Sequence, residues 1–164
     1  LLFRGCEFGQ WQEWREQHSL DWHLLEQPEH RALLDLNREL NHLYRENPVL
    51  HAGDTDPAGF AWIDLHNGDQ SVFAFLRRSP LHPDRPPLLC VFNCTPVPRE
   101  AYWLGVPEAG TYRKVLDSDA ARFGGSGFNQ QERVVSQLAP CQGYPCHIRL
   151  DLPPLGALFF ELAD

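Results

Sequence analysis

Residues 60–77 read FAWIDLHNGDQSVFAFLR, two short runs of β-branched and aromatic residues on either side of a polar turn. The turn, His66-Asn67-Gly68-Asp69, contains the Asn-Gly pair that favours a tight hairpin. These residues therefore predict two antiparallel strands, over 60–64 and 71–77, that are joined by a short connection.

More runs of the same kind follow along the chain, separated by clusters of Gly, Pro, Asp and Asn. A spacing of roughly ten residues per strand is typical of an antiparallel sandwich. The sequence therefore predicts a mainly β fold, with an antiparallel β-sandwich domain over residues 51–164. The additional strands are predicted at residues 88–94, 101–106, 111–116, 147–152 and 155–161.

The first fifty residues have a different pattern. Residues 1–4 form a short apolar run that ends at Gly5, which is typical of a strand buried on both faces. Residues 6–27 predict a long loop that is dense in aromatic and polar side chains. Residues 29–47 predict an amphipathic helix that follows Pro28 and is ended by Pro48. Its apolar stripe consists of Leu33, Leu36, Leu40 and Leu43.

A strand, a loop and a helix make one βα unit, and a single unit cannot bury both faces of its strand. The sequence also begins at Leu1 inside an apolar segment and contains no Met. We therefore expect residues 1–50 to belong to a larger domain, and the chain to be a piece of a larger protein. An isolated piece of this kind is expected to self-associate through its unpartnered apolar surface or to leave residues 1–27 mobile.

The net charge and the lack of targeting signals limit the kinds of partner that we expect for this chain. The net charge is −8 and Lys114 is the single lysine, so a nucleic-acid partner is not expected. A neutral polysaccharide is compatible with this acidic balance. No apolar run approaches the ~20 residues that span a bilayer, and residues 1–3 show no secretory signal. We expect a cytoplasmic protein with no membrane contact.

The five cysteines, an odd number, predict free and mostly buried thiols. Cys90 and Cys94 lie in one predicted strand and are expected to point to the same face as small core residues. Cys141, Cys146 and His147 could join Cys90 and Cys94 as metal ligands, but the spacing of these residues does not match a zinc site. No metal and no cofactor are expected.

Three motifs carry a resemblance to a known family. The first motif is Gly5-Cys6-Glu7-Phe8-Gly9-Gln10, followed by Glu13-Trp14 and Leu20-Asp21-Trp22. The second is Asn93-Cys94-Thr95-Pro96-Val97-Pro98-Arg99. The third is Asp117-Ser118-Asp119-Ala120, followed by Phe123-Gly124-Gly125-Ser126-Gly127. In this order and spacing they resemble the C-terminal part of glycogen (1,4-α-glucan) branching enzymes, which belong to the α-amylase superfamily.

This resemblance implies a fold and an activity. Residues 1–5 would be the eighth strand of a catalytic (β/α)8 barrel and residues 29–47 its eighth helix, with the C-terminal β-sandwich over 51–164. The implied parent is a retaining glycosyltransferase that cleaves α-1,4 glucan and transfers the chain to a 6-hydroxyl. Its catalytic carboxylates are implied to lie upstream, so no catalytic residue is expected in this chain.

Aromatic side chains near the implied barrel mouth are candidate glucan contacts, because sugar rings present apolar C–H faces. We single out Trp11, Trp14 and Trp22 for stacking, and Gln10 and His23 for hydrogen bonds to sugar hydroxyls. The alternative is that the tryptophans pack the loop against the helix and the sandwich.

Carboxylates give three further candidates. Glu7 is a candidate substrate contact, with a buried hydrogen-bonding residue that shapes the barrel end as the alternative. Glu7 and Glu13 could also form a catalytic pair. We prefer a buried hydrogen-bonding role for Glu7 and a loop ion pair for Glu13, since a catalytic carboxylate pair works only in a completed site. Asp119 precedes a glycine-rich turn and is a candidate substrate contact, with a purely structural turn as the alternative.

Two other functions remain open from the residues. One is a hydrolase of the α-amylase superfamily, which would release reducing sugar rather than form branches. The other is a stand-alone carbohydrate-binding β module, which would bind glycogen with no barrel present.

Overall fold

The computed structural model describes residues 3–12 and 16–163. Within these residues the chain forms one α-helix and eight strands, with short 3₁₀ turns between them. The helix α1 is Pro28–Glu46. The strands are β1 Phe60–Asp64, β2 Val72–Arg77, β3 Leu88–Asn93, β4 Arg99–Val106, β5 Thr111–Asp117, β6 Arg133–Val135, β7 Cys146–Leu152 and β8 Gly156–Leu162.

The strands form two antiparallel sheets. The larger sheet has the order β1-β2-β3-β8-β5-β6, and the smaller one pairs β4 with β7. Val72, Ala74 and Leu76 alternate inward from β2 and meet Ile148 and Leu150 of β7 in one core. Burial of this apolar layer is the main stabilising term of such a fold. The predicted mainly antiparallel β fold is confirmed.

The local predictions hold at most elements, with three exceptions. The hairpin between β1 and β2 and the helix are found close to their predicted bounds. Strand β6 was not predicted, because three residues are too few to show an alternating pattern. The prediction for Cys94 is wrong: β3 ends at Asn93, and Cys94 is exposed beyond it while Cys90 is buried.

The predicted strand over residues 1–5 is not seen in its described part. Leu1 and Leu2 lie outside the described residues, and Phe3 leads into a turn at Arg4 and Gly5. A strand needs a hydrogen-bonded neighbour, and none of the strands in the described ranges pairs with residues 3–5.

Helix α1 connects the first part of the chain to the large sheet. It packs on the 3₁₀ turns Cys6–Phe8, Trp22–Glu26 and Ala121–Phe123. Just after the helix, Val49 is fully buried against Leu88 and Cys90 on the face of the large sheet that points away from β4 and β7. The division at residues 50 and 51 stays a prediction. In the part of the chain that the structure describes, no helix has the length and apolarity needed to cross a membrane.

Candidate functional site

The turn after Gly5 positions most of the predicted contact residues. Gly5 and Gly9 have φ values of 83° and 69°, which only glycine adopts without strain, and they bracket the 3₁₀ turn Cys6–Phe8. Phe8 is fully buried at its centre. The carbonyl of Phe8 accepts a hydrogen bond from Nδ1 of His30 at 2.7 Å, so the turn is fixed to the first turns of α1.

Two of the predicted tryptophans lie around this turn and are largely exposed. Trp22 stacks on Phe8 with ring centroids 5.3 Å apart, and 55% of its surface remains accessible. Trp11 meets the edge of His30 at 5.2 Å and is 70% exposed. Neither ring is fully buried, so both have exposed apolar surface on which a sugar ring can stack. Trp14 and Glu13 lie outside the described residues.

The predicted polar contacts surround the same turn. Oε1 of Gln10 accepts a hydrogen bond from the amide of Asp21 at 3.1 Å, and its Nε2 donates to the carbonyl of Gln12 at 3.0 Å. Gln10 thereby lines a polar cleft of about 250 Å³ beside Arg4, His18 and Asp21. His23 is exposed in the turn Trp22–Glu26. Glu7 is half-buried, and its main-chain carbonyl accepts a hydrogen bond from Asn37 at 3.0 Å.

Asp119 lies apart from this turn and holds its own loop together. Its carboxylate accepts hydrogen bonds from the amide of Ser126 at 2.9 Å, the hydroxyl of Ser126 at 2.5 Å and the amide of Phe128 at 3.2 Å. The same loop reaches α1, where Arg122 contacts Glu39 at 3.4 Å. The geometry gives Asp119 a structural role; its role as a substrate contact stays a prediction.

An aromatic surface that the sequence reasoning missed covers the outer side of the large sheet. We call it the aromatic face. Phe73 and Phe92 stack at 4.7 Å, and Phe60 stands edge-on to Trp62 at 4.9 Å. Trp62 is 46% exposed at its open end. The signal was present as aromatic residues at every second position of β1 and β2. The face consists of Phe60, Trp62, Phe73, Phe75, Phe92 and Phe159.

Hydrogen-bonding groups stand next to Trp62 along the chain. Oδ2 of Asp64 accepts from the hydroxyl of Tyr102 at 2.5 Å and from Nε2 of Gln142 at 2.8 Å. The amide of Asn67 donates to the same hydroxyl at 2.7 Å. Burial, and the hydrogen bond to Asp64, raise the pKa of Tyr102 above its usual range, so the phenol stays protonated. This cluster connects β1 to Tyr102 of β4, because Asp64 pairs in register with Ala74, a residue of the core between the two sheets.

The thiols and acidic groups form no metal centre in the described ranges, since no three His, Cys, Asp or Glu side chains converge there. The five cysteines are free, with Cys6 and Cys94 exposed. Burial raises the pKa of Cys90 to about 12, which keeps that thiol protonated at neutral pH.

Comparison with known proteins places this geometry in a family. A sequence profile described as "Alpha amylase, C-terminal all-beta domain" matches residues 62–163. The 1,4-alpha-glucan branching enzyme GlgB of Thiobacillus denitrificans is 47% identical over 98% of this chain, which is 22% of that protein. GlgB of Pseudomonas aeruginosa is 48% identical over 99% of the chain, again 22% of the relative. The chain thus spans about a fifth of the length of these relatives.

The solved alpha-amylase from H. orenii is a weaker likeness, at 19% identity and a TM-score of 0.47 over 80% of this chain and 20% of that one. The assignment therefore rests on the sequence matches, which confirm the resemblance to branching enzymes along essentially the whole chain. The chain belongs to the family of alpha-amylase C-terminal all-beta domains.

Proposed function

We propose that this chain serves as the C-terminal β domain, with an adjoining βα unit, of a 1,4-α-glucan branching enzyme. The observation that carries the proposal is the 47% identity to a GlgB over 98% of the chain, which includes the residues before the matched β domain. A hydrolase of the same superfamily would not be expected to share this level of identity through both parts.

The proposed parent reaction cuts an α-1,4 bond and transfers the released chain to a 6-hydroxyl. Retaining chemistry of this type needs a nucleophilic carboxylate and an acid/base carboxylate about 5–5.5 Å apart. Both are proposed to lie in a barrel upstream of this chain, as the resemblance implies. The role proposed for this chain is to support that barrel and contact the glucan, without turnover of its own.

Glucan contact is proposed at the exposed tryptophans. Trp11 and Trp22 flank the turn at Phe8, and Trp62 ends the aromatic face. Each offers a partly open indole on which a pyranose ring can stack.

Residues 1–50 are proposed to be the last βα unit of the barrel and to pack against the rest of it. The half-buried state of Leu33, Leu36, Leu40 and Leu43 supports this, since an apolar stripe of this kind normally faces a core. Self-association of the isolated chain through that stripe, and a cytoplasmic location, are part of the same proposal. Light scattering of the isolated chain tests the self-association.

Affinity electrophoresis through a gel that contains glycogen tests the glucan contact. We expect Trp62→Ala to weaken retardation about fivefold, the effect of losing ~1 kcal/mol of stacking. Trp103→Ala is the matched control, because Trp103 is 49% exposed but lies in β4 of the other sheet. Equal retardation of both variants and the unaltered chain would contradict the contact at Trp62.

Iodine staining of amylose incubated with the chain tests the absence of catalysis. We expect no loss of colour and no release of reducing sugar. Turnover by the chain itself would overturn the proposed supporting role, because it would require a catalytic carboxylate within these residues. The two assays fail independently of each other.

A further inference from the structure

A second cleft lies far in sequence from the tryptophans and is lined by charge. Its volume is about 580 Å³, and it opens between the loop at residues 84–86, the end of α1 and strands β5, β6 and β8. Asn47 and Leu162 are among its lining residues. The charged residues that line it are Asp84, Arg85, Arg113, Arg133 and Glu161.

Two of its arginines directly oppose each other. Arg113 of β5 pairs in register with Arg133 of β6, so both side chains stand on the same face of the sheet. Like charges in directly opposed positions destabilise a sheet. On its other side Arg113 forms an ion pair with Glu161 of β8, which leaves one carboxylate for two guanidinium groups across three strands.

Arg85 adds a third guanidinium from the loop between β2 and β3. Among residues 3–12 and 16–163, neither Arg85 nor Arg133 makes a side-chain hydrogen bond or ion pair. The cleft thus presents three guanidinium groups against two carboxylates, on a chain whose net charge is −8. A local excess of positive charge on an acidic protein concentrates anions there.

We propose that this cleft binds a phosphate monoester carried on a sugar-sized body. Guanidinium groups bind phosphate oxygens through paired hydrogen bonds, and two of them here lack a protein acceptor. The volume is in the range of small-molecule sites, far above the room that one phosphate group needs. Asn47 and Glu161 offer an amide and a carboxylate for hydroxyl groups on that body.

The bound anion also explains the opposed arginines. The guanidinium groups of Arg113 and Arg133 repel each other, and in the protein only Glu161 offsets their charge. A phosphate group between them supplies the missing negative charge. Without ligand, Arg133→Gln removes that repulsion. The chain with Arg133→Gln is therefore expected to unfold at the same urea concentration as the unaltered chain, or at a higher one.

Isothermal titration of the full chain with glucose 6-phosphate tests the site, with glucose as the uncharged comparison. We expect binding of the phosphate ester, no heat from glucose, and an affinity at least about tenfold weaker in the chain carrying Arg85→Gln and Arg133→Gln. Arg45→Gln is the control, since Arg45 is an exposed arginine of α1 and does not line the cleft. Unchanged affinity in the double variant overturns the site, as does equal binding of glucose.

A 6-phosphorylated maltooligosaccharide distinguishes the two sources of such an ester. Tighter binding of the oligosaccharide than of glucose 6-phosphate identifies a phosphate group on a glucan chain as the ligand. Equal affinities identify a free sugar phosphate. Neither result depends on the tryptophans, so failure here is separable from failure of the proposed glucan contact.

Discussion

The carboxylate of Asp119 accepts hydrogen bonds from both the amide and the hydroxyl of Ser126, at 2.9 and 2.5 Å. Together with the amide of Phe128 they close a loop that lies against α1. Asp119→Ala leaves these donors without their acceptor, and we expect the free energy of unfolding to fall by about 2 kcal/mol. Urea unfolding followed by tryptophan fluorescence measures the loss.

Ser126→Ala is the matched partial variant, because it removes one of the three donors. Its loss is expected to be less than half of that in Asp119→Ala. If Asp119→Ala leaves stability unchanged but abolishes glycogen retardation, the carboxylate is a substrate contact and its structural role is refuted.

Gly105 in β4 is predicted to tolerate no side chain. A Cβ at this position would lie 2.3 Å from the carbonyl oxygen of Cys141, which is backbone and cannot rotate away. We expect Gly105→Ala to destabilise the fold by about 3 kcal/mol. Gly68→Ala is the control, since a Cβ there meets nothing within 4 Å. Equal unfolding midpoints for the two variants would show that the loop at Cys141 moves freely.

The thiols are predicted to react in two classes. A short pulse of iodoacetamide at pH 8 should modify Cys6 and Cys94, which are exposed, and spare Cys90 and Cys146, which are buried. For Cys90 the reason is also chemical, because burial raises its pKa to about 12 and the thiolate is the reactive form. Peptide mass spectrometry reads each site; full modification of Cys90 in the native chain would contradict its burial in β3.

Asp117 is predicted to make stability depend on pH. Burial raises its pKa above the usual range of an aspartate, although the amide of Asp119 and the ammonium of Lys114 act against this. The folded state then holds the proton more tightly than the unfolded state. The free energy of unfolding therefore falls as pH rises from about 4 through the raised folded pKa.

The comparison of Asp117→Asn with the unaltered chain in urea across this pH range tests the sign. Because the amide does not titrate, the variant should gain stability relative to the unaltered chain as pH rises. Asp69→Asn, at an exposed position, is the matched control for removal of one carboxylate. A relative loss in Asp117→Asn with rising pH would mean that the ion pair with Lys114 outweighs burial.

The sequence patterns predicted the secondary-structure elements better than they predicted which side chains would be exposed on the surface. The Asn67-Gly68 pair located the first hairpin, and the leucine spacing located α1, because both signals are local. The aromatic face was missed for a physical reason. In β2 both alternating sets are apolar, Val72 and Ala74 on one side and Phe73 and Phe75 on the other, so the pattern does not indicate which set points inward.

The candidate contacts show the same limit. Motif resemblance selected Trp11 and Trp22, and the structure brings both to one turn. It did not select Trp62, whose exposure depends on where β1 lies in the sheet. The arginine cleft was also invisible, since Arg85, Arg113 and Arg133 are distant in sequence and meet only through strand pairing and the loop.

Val49 is buried beneath the large sheet although it precedes every strand. Recombination between two relatives at residues 51–59 would join the Val49 of one parent to the Leu88 and Cys90 of the other. The two parents must then have matched volumes at these three positions, or the hybrid carries a void or a clash. The turn Pro48–Leu50 and the sheet are therefore expected to be inherited together, and a crossover at residues 51–59 should be tolerated only between relatives that match at these positions.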